Sequence, residues 1–267
     1  MVKSFIARLA ALSLFLAAAI APAAPARADQ SRNLDWSGPL AAGAQLSVSG
    51  INGDIVADAA PGQQASVRAH VSSKLGDISA VRLQVKQLSN GVAICSVLPG
   101  EKVSEDCSHS DYSSDGDADH EIRVDFTLHV PRGVNLQAKT VNGRSSAQGL
   151  SGNVAARTVN GSIAIATSGY ANAMTVNGKI EVHIGNPNWS GGLAFKTVNG
   201  AIHLWLPRGA NFTIAAKTLN GGIDAGAFHL SEDSGRWFGH KLDGKVGNGG
   251  RALTLQTVNG AISLGAN

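Results

Sequence analysis

The sequence predicts an all-β protein built around a right-handed parallel β-solenoid, and three observations lead to this prediction. A four-residue word, Thr-Val-Asn-Gly, recurs through the second half of the chain. Apolar residues alternate with small or polar ones on both sides of it, which is the period of a strand. Glycine supplies 32 of the 267 residues and only 15% are charged, a composition typical of many tight turns. With 43% hydrophobic residues, the chain is not predicted to be disordered.

The repeats align on the asparagine of this word. Five copies read Thr-Val-Asn-Gly and one reads Thr-Leu-Asn-Gly, and their asparagines are Asn142, Asn160, Asn177, Asn199, Asn220 and Asn259. Successive asparagines are 17 to 22 residues apart except for the last step of 39, which predicts one expanded or degenerate repeat. A related Gly-Ile-Asn-Gly-Asp-Ile segment surrounds Asn52.

Each repeat predicts two short strands that meet at a corner. Apolar residues stand three and five positions after most asparagines, as in Ile180 and Val182, and again four and six positions before them, as in Phe195 and Leu193. Small or polar residues fill the positions between. One face of each strand is therefore expected in a core and the other at the surface.

Two architectures could use this unit. Asn-Gly between alternating strands is a strong hairpin signal, which would give a meander, sandwich or barrel. The solenoid is favoured because hairpins do not explain why Thr and Val precede every corner. Equivalent positions of stacked coils lie about 4.8 Å apart, so identical asparagines could hydrogen-bond up the stack. Asparagine also tolerates left-handed backbone, and a following glycine removes the steric cost.

The chain is predicted to divide into three parts. Residues 1–28 read as a signal peptide, with Lys3 and Arg8, an apolar run at residues 9–20, and cleavage between Ala28 and Asp29. This run is too short to span a bilayer, so no stable membrane insertion is expected. Residues 29–132 are a less regular β-rich part or cap, and residues 133–267 are the solenoid, with residues 227–256 as an expanded coil or cap. The protein is therefore expected in the periplasm or secreted from a bacterium.

Charge and cysteine content restrict the function further. Removing residues 1–28 takes Lys plus Arg from 22 to 19 against 19 acids, so the mature chain is neutral and nucleic-acid binding is not predicted. Cys95 and Cys107 are expected to form a disulfide in an oxidising compartment. The acidic segment from Asp111 to Glu121 reads as a solvated loop, and neither a metal nor a cofactor is predicted.

The repeats resemble those of the bacterial "putative adhesin" domain family. The resemblance rests on the exported start, the Asn-Gly-Asp-Ile word at Asn52 and the tandem T-V-N-G-x-I words, and it covers residues 46–267. It implies a β-helix-like exported protein and little about activity, because fold does not give function.

A binding surface is predicted on the outer side of the coils. Three residues before the repeat asparagines stand Lys139, Arg157, Met174, Lys196, Lys217 and Gln256, so four cations would line one column. Such a column suits an anionic envelope glycan or an envelope protein, although lysines also discourage edge-to-edge aggregation. Trp205 is the outward aromatic residue best placed to stack on a sugar, with Trp189 and Trp237 as further candidates.

Together these features predict a non-enzymatic envelope protein with an adhesin-like binding or scaffolding role. One alternative is a carbohydrate-active β-helix enzyme, since Glu181 and Asp224 would lie two coils apart, about 9–10 Å, with His203 between them. The other is a periplasmic structural or regulatory module that contacts a protein partner.

Overall fold

A computed structural model describes residues 30–74, 77–79, 81–98, 107, 122–231, 233–234 and 239–267. The described chain is all-β, as predicted, and forms one ten-stranded and one eleven-stranded sheet. A 3-10 turn at Gly226–Phe228 is the helical segment among these residues, and no helix in the described ranges is long and apolar enough to cross a membrane.

The strands are short and follow one another closely along the chain. They are β1 (Gln30–Pro39), β2 (Gln45–Ser49), β3 (Ile55–Ala59), β4 (Gln64–Ser73), β5 (Arg82–Leu88), β6 (Gly91–Val97), β7 (Arg123–Val130), β8 (Asn135–Lys139), β9 (Ser145–Leu150), β10 (Val154–Arg157), β11 (Ile163–Thr167), β12 (Ala171–Met174), β13 (Ile180–Ile184), β14 (Leu193–Lys196), β15 (Ile202–Leu206), β16 (Phe212–Thr218), β17 (Ile223–Asp224), β18 (Asp233–Ser234), β19 (His240–Val246), β20 (Arg251–Gln256) and β21 (Ile262–Ala266).

Each repeat contributes one strand to each sheet. The strand before the Asn-Gly word joins the eleven-stranded sheet, whose order is β18-β19-β16-β20-β14-β12-β10-β8-β2-β6-β5. The strand after it joins the ten-stranded sheet, whose order is β1-β4-β7-β3-β9-β11-β13-β15-β21-β17. Equivalent strands of neighbouring repeats pair in parallel, with Val154 opposite Ala171 and Ile163 opposite Ile180, so equivalent residues form columns.

The spatial order of the repeats differs from their order in the sequence. Isolated bridges join Asn199 to Asn259 and Asn259 to Asn220, so the last repeat lies between the two that precede it. The cause is β19, which pairs antiparallel with the outer side of β16 and sends the chain back as β20, between β16 and β14. At the other end, Asn52 bridges to Asn142, so the first unit of the column lies within residues 29–132.

The corner of each repeat is held by side chains that bond across neighbouring units. The amide nitrogen of each asparagine donates to the amide oxygen of the next at 2.6–2.8 Å, from Asn220 through Asn259 and on to Asn52. The buried threonines donate to carbonyls of the adjacent unit, as Thr175 Oγ1 does to the Gly161 carbonyl oxygen at 2.9 Å. The repeated word is therefore a hydrogen-bonding unit.

The glycine of the word has a different role from the one expected. No repeat asparagine has a positive φ, so these corners do not use the left-handed backbone that asparagine tolerates. A Cβ on Gly178 would instead lie 2.0 Å from the carbonyl oxygen of Gly161, and Gly161 meets Gly143 in the same way at 1.9 Å. Glycine is required because the backbones of neighbouring units touch at this point.

The core lies between the two sheets. Ile163, Ile180, Ile202 and Ile262 form one fully buried column of the ten-stranded sheet. Alanines and larger residues such as Phe195 face them from the other sheet. Burial of one such isoleucine contributes about 1.5–3 kcal/mol, so the core supplies the main driving force for stacking.

The N-terminal part extends both sheets with antiparallel strands. In the ten-stranded sheet β4 pairs with β1 and β7, and in the other sheet β5 pairs with β6. The expected disulfide between Cys95 and Cys107 is present, with the Cα atoms 5.7 Å apart, and both cysteines are buried.

Candidate functional site

The four predicted cations lie in one column on the outer face of the eleven-stranded sheet. Strand pairing places Lys139 beside Arg157, then Met174, Lys196, Gln256 and Lys217 in that order. These residues alternate with buried neighbours, so their side chains point away from the core. Arg157 and Lys217 are exposed, while Lys139 and Lys196 are half-buried. We call this set the basic column.

The spacing of the basic column follows from the spacing of strands. Lys139 and Arg157 are one strand apart, about 4.8 Å, and Lys196 is two strands beyond Arg157. Gln256 enters between Lys196 and Lys217 because the last repeat is inserted there, so these two lysines are also two strands apart, about 10 Å. The insertion therefore relieves repulsion between two lysines that would otherwise be adjacent.

No acidic residue of the described chain forms an ion pair with any of these four cations. The adjacent outward column is uncharged and consists of Gln137, Ala155, Asn172, Ala194, Thr254 and Ala215. A depression of about 210 Å³ lies beside Arg157 and Met174, floored by Ala155 and Ala194. Among the described residues, no acid therefore neutralises these four positive charges.

Trp205, the fifth predicted binding residue, does not belong to the same surface. It lies on β15 in the ten-stranded sheet, on the opposite side of the molecule from the basic column. Its indole stacks on the imidazole of His183 one strand away, with ring centroids 4.1 Å apart and planes 4° apart. The predicted ligand-binding residues thus divide between two faces.

The arrangement expected of a glycosidase is wrong. Across neighbouring strands, Glu181 pairs with His203, His203 pairs with Ser263, and Ser263 pairs with Asp224. Three strand spacings, about 14 Å, separate the two carboxylates instead of the two that the alternative required. Glu181 also forms an ion pair with Lys179 at 3.0 Å, and His203 Nδ1 hydrogen-bonds Ser263 Oγ at 2.6 Å.

The remaining residues that the sequence analysis singled out are either buried or lie outside the described ranges. Trp189 is buried against Phe212, with ring centroids 5.9 Å apart, so it is a core residue and not a sugar platform. The predicted cleavage site at Ala28 and Asp29, the segment from Asp111 to Glu121, and Trp237 lie outside the described residues. Within the described ranges no group of three His, Cys, Asp or Glu side chains is placed to hold a metal ion.

Sequence reasoning missed an exposed aliphatic column at the corners. Val159, Val176 and Val198 are each 39% exposed, and Leu219 is 48% exposed. The signal was present in the sequence, because a branched aliphatic residue precedes every repeat asparagine although the position faces solvent. It also missed a cleft of about 560 Å³ on the outer face of β1, β4 and β7, where Arg68 and Asp35 form an ion pair at 2.7 Å.

Comparison with known proteins gives structural neighbours only. No family model matches the chain. No curated protein matches its sequence. Solved structures similar to it include a "putative cell adhesion protein" from Clostridium sporogenes, with a TM-score of 0.45 and 10% identity over 88% of this chain and 100% of that chain. A "putative adhesin" from Bacteroides fragilis has a TM-score of 0.39 and 12% identity over 87% of this chain and 97% of that chain. Another from Parabacteroides distasonis has a TM-score of 0.25 and 10% identity over 87% of this chain and 97% of that chain.

Proposed function

We propose that this protein is an exported, non-enzymatic, adhesin-like envelope protein that binds an anionic cell-surface polysaccharide along the basic column. The observation that carries the proposal is the alignment of Lys139, Arg157, Lys196 and Lys217 without ion-pair partners in the described chain. Aligned charges of one sign repel one another, and a bound polyanion removes that repulsion.

The shape of the surface also favours an extended ligand. The basic column spans five strand spacings, about 24 Å, and the uncharged column beside it carries small side chains that leave the backbone of a polymer free to approach. Gln137, Asn172 and Thr254 supply neutral polar groups for sugar hydroxyls. A linear acidic polysaccharide fits this surface better than a compact anion, which would contact one or two cations.

Export and the coiled architecture belong to the same proposal. The disulfide between Cys95 and Cys107 supports residence in an oxidising compartment, reached with a signal peptide at residues 1–28. The alternation of repeat strands between two sheets, with parallel pairing in each, supports a right-handed β-solenoid in which each repeat is one coil. A rigid stack of this kind would hold the basic column straight without a ligand.

The experiment is binding of the mature chain, residues 29–267, to an array of anionic and neutral bacterial glycans at low and high salt. We expect binding to acidic glycans that weakens as salt rises, because exposed charges are screened. Replacing Lys139, Arg157, Lys196 and Lys217 by glutamine together should abolish this binding.

A matched variant controls for net charge. Lys74, Arg132, Arg144 and Arg208 are exposed cations outside the basic column, and replacing these four by glutamine removes the same charge. This variant should bind as the wild type does. Equal loss in both variants, or no acidic glycan bound at either salt concentration, would overturn the proposal.

A further inference from the structure

The stacked pair of His183 and Trp205 occupies the outer face of the ten-stranded sheet. Trp205 covers one face of the His183 imidazole, and beyond it Gly265 leaves room for the indole, since a Cβ there would lie 2.4 Å from Trp205 Cδ1. His203 lies against the same indole, with ring centroids 6.2 Å apart. The imidazole of His183 is thus held rigidly from one side, while His183 remains exposed.

The free side of His183 borders a shallow depression of about 560 Å³. His183 lines it and Trp205 does not, so the depression lies on the imidazole face that the indole leaves open. Its floor is Ala166, a small outward residue that pairs with His183 on the neighbouring strand. On the far side the strand pairing shifts register, so that Gln148 and Gly149 both stand opposite Ala166, with Gly149 at φ +66°. Bulges of this kind re-aim side chains beside binding sites.

The dimensions of the depression fit one ring. His183 and the bulge at Gly149, which both line the depression, lie two strands apart, about 10 Å. A ring that contacts a surface on each side at about 3.5–4.0 Å needs about 7–8 Å, so one ring fits and two do not. A ring above Ala166 would continue the stack that Trp205 and His183 begin.

The lining defines the chemistry of that ring. The depression has no Lys, Arg, Asp or Glu in its lining, which disfavours an ionic ligand. Two polar groups at its rim have unused hydrogen-bonding capacity within the described ranges. Ser168 Oγ has no partner there. Asn267 donates through Nδ2 to the Ile184 carbonyl oxygen at 2.9 Å, and its Oδ1 accepts no hydrogen bond from a described residue. The site therefore combines a flat wall with two uncharged groups that can hydrogen-bond to hydroxyls of a ligand.

We propose that this depression, called the slot below, binds a pyranose ring of a neutral glycan. The C–H face of the sugar would lie on the His183 imidazole, and its hydroxyls would bond to Ser168 and Asn267. A pyranose presents an apolar face and hydroxylated edges, which match the apolar wall and the polar rim of the lining. An unsubstituted aromatic ring has no hydroxyl groups to bond to the two rim groups. The site is separate from the basic column, on the opposite sheet, and requires no charge.

The test is isothermal titration of the mature chain with neutral hexasaccharides (chitohexaose, cellohexaose and maltohexaose) at high salt, where the basic column is screened. We expect at least one to bind. Ala166→Leu fills the slot without touching the core and should weaken binding about tenfold or more. Ala164→Leu, at an equally half-buried outward alanine on the same strand but outside the lining of the depression, should leave binding unchanged.

A second variant separates stacking from loss of fold. His183→Phe keeps a ring against Trp205 and should retain binding within about threefold, while His183→Ala should lose it. The fourfold glutamine variant of the basic column should bind the neutral hexasaccharide normally, so failure of one site does not imply failure of the other. No binding of any hexasaccharide, or equal affinity in Ala166→Leu and wild type, would overturn the proposal.

Discussion

In the repeats, each corner asparagine bonds to another asparagine one strand away. Asn177 accepts from Asn199 and donates to Asn160, both at 2.8 Å. In the antiparallel strands β1, β4 and β7, side-chain hydrogen bonds join individual unlike pairs such as Arg68 with Asp35 and His70 with Asn33. Loss of one member therefore affects two neighbours in the repeats but one in the N-terminal part.

The largest expected effect is at the glycine of a central corner. In Gly178→Ala the new Cβ would lie 2.0 Å from the Gly161 carbonyl oxygen, so two units must separate where their other contacts hold them together. We expect a loss of more than about 3 kcal/mol in the free energy of unfolding, measured by chemical denaturation. Gly222→Ala is the control, because a Cβ there meets nothing within 4 Å, and it should stay within about 1 kcal/mol of wild type. Similar stability of the two variants would contradict the close-approach explanation.

Removing the disulfide should have a comparable effect on the N-terminal part. The bond closes a short loop with a sequence separation of 12, which the loop-entropy relation values at about 3 kcal/mol. We expect the double variant Cys95→Ala, Cys107→Ala to lose about this amount, and reduction of the wild-type protein to do the same. A reductant should leave the stability of the double variant unchanged. A destabilisation below about 1 kcal/mol would mean that the antiparallel strands hold without their cross-link.

A smaller effect is expected within the asparagine ladder, and it should depend on position. Asn177→Ala removes two amide hydrogen bonds, whereas Asn220→Ala at the end removes only the bond that it donates to Asn259. At about 0.5–1.5 kcal/mol per bond, the central variant should lose about twice as much stability as the terminal one. Thermal unfolding of both variants measures the ratio. Equal losses of stability in the two variants would indicate that the contribution of an asparagine does not depend on its position in the ladder.

The repeated parts of the molecule could be read from the sequence, and the places where repetition fails could not. Alignment on the asparagines predicts the amide ladder and the buried isoleucine columns, because both follow from equal spacing in adjacent units. It does not predict that the repeat of Asn259 lies between those of Asn199 and Asn220. That order depends on β19 pairing with β16, a contact between strands without a shared motif.

The same limit explains the errors at the candidate sites. The distance between Glu181 and Asp224 was wrong by one strand because the inserted repeat places Ser263 between His203 and Asp224. The role of the corner glycine was missed because its steric constraint comes from a neighbouring unit and not from its own φ. Trp205 and the basic column were grouped together because both face outward, although the two strands of a repeat face outward on opposite sides.

The smallest expected effect is at the surface ion pair of the N-terminal part. Arg68 and Asp35 are 63% and 56% exposed, so water screens their attraction although Nε and Oδ1 are 2.7 Å apart. We expect Arg68→Gln and Asp35→Asn each to change stability by less than about 0.5 kcal/mol, with no coupling in the double variant beyond that range. A coupling above about 1 kcal/mol would show that the antiparallel strands depend on this pair. The contrast with Asn177, whose neutral partners are fixed on both sides by the stack, would then disappear.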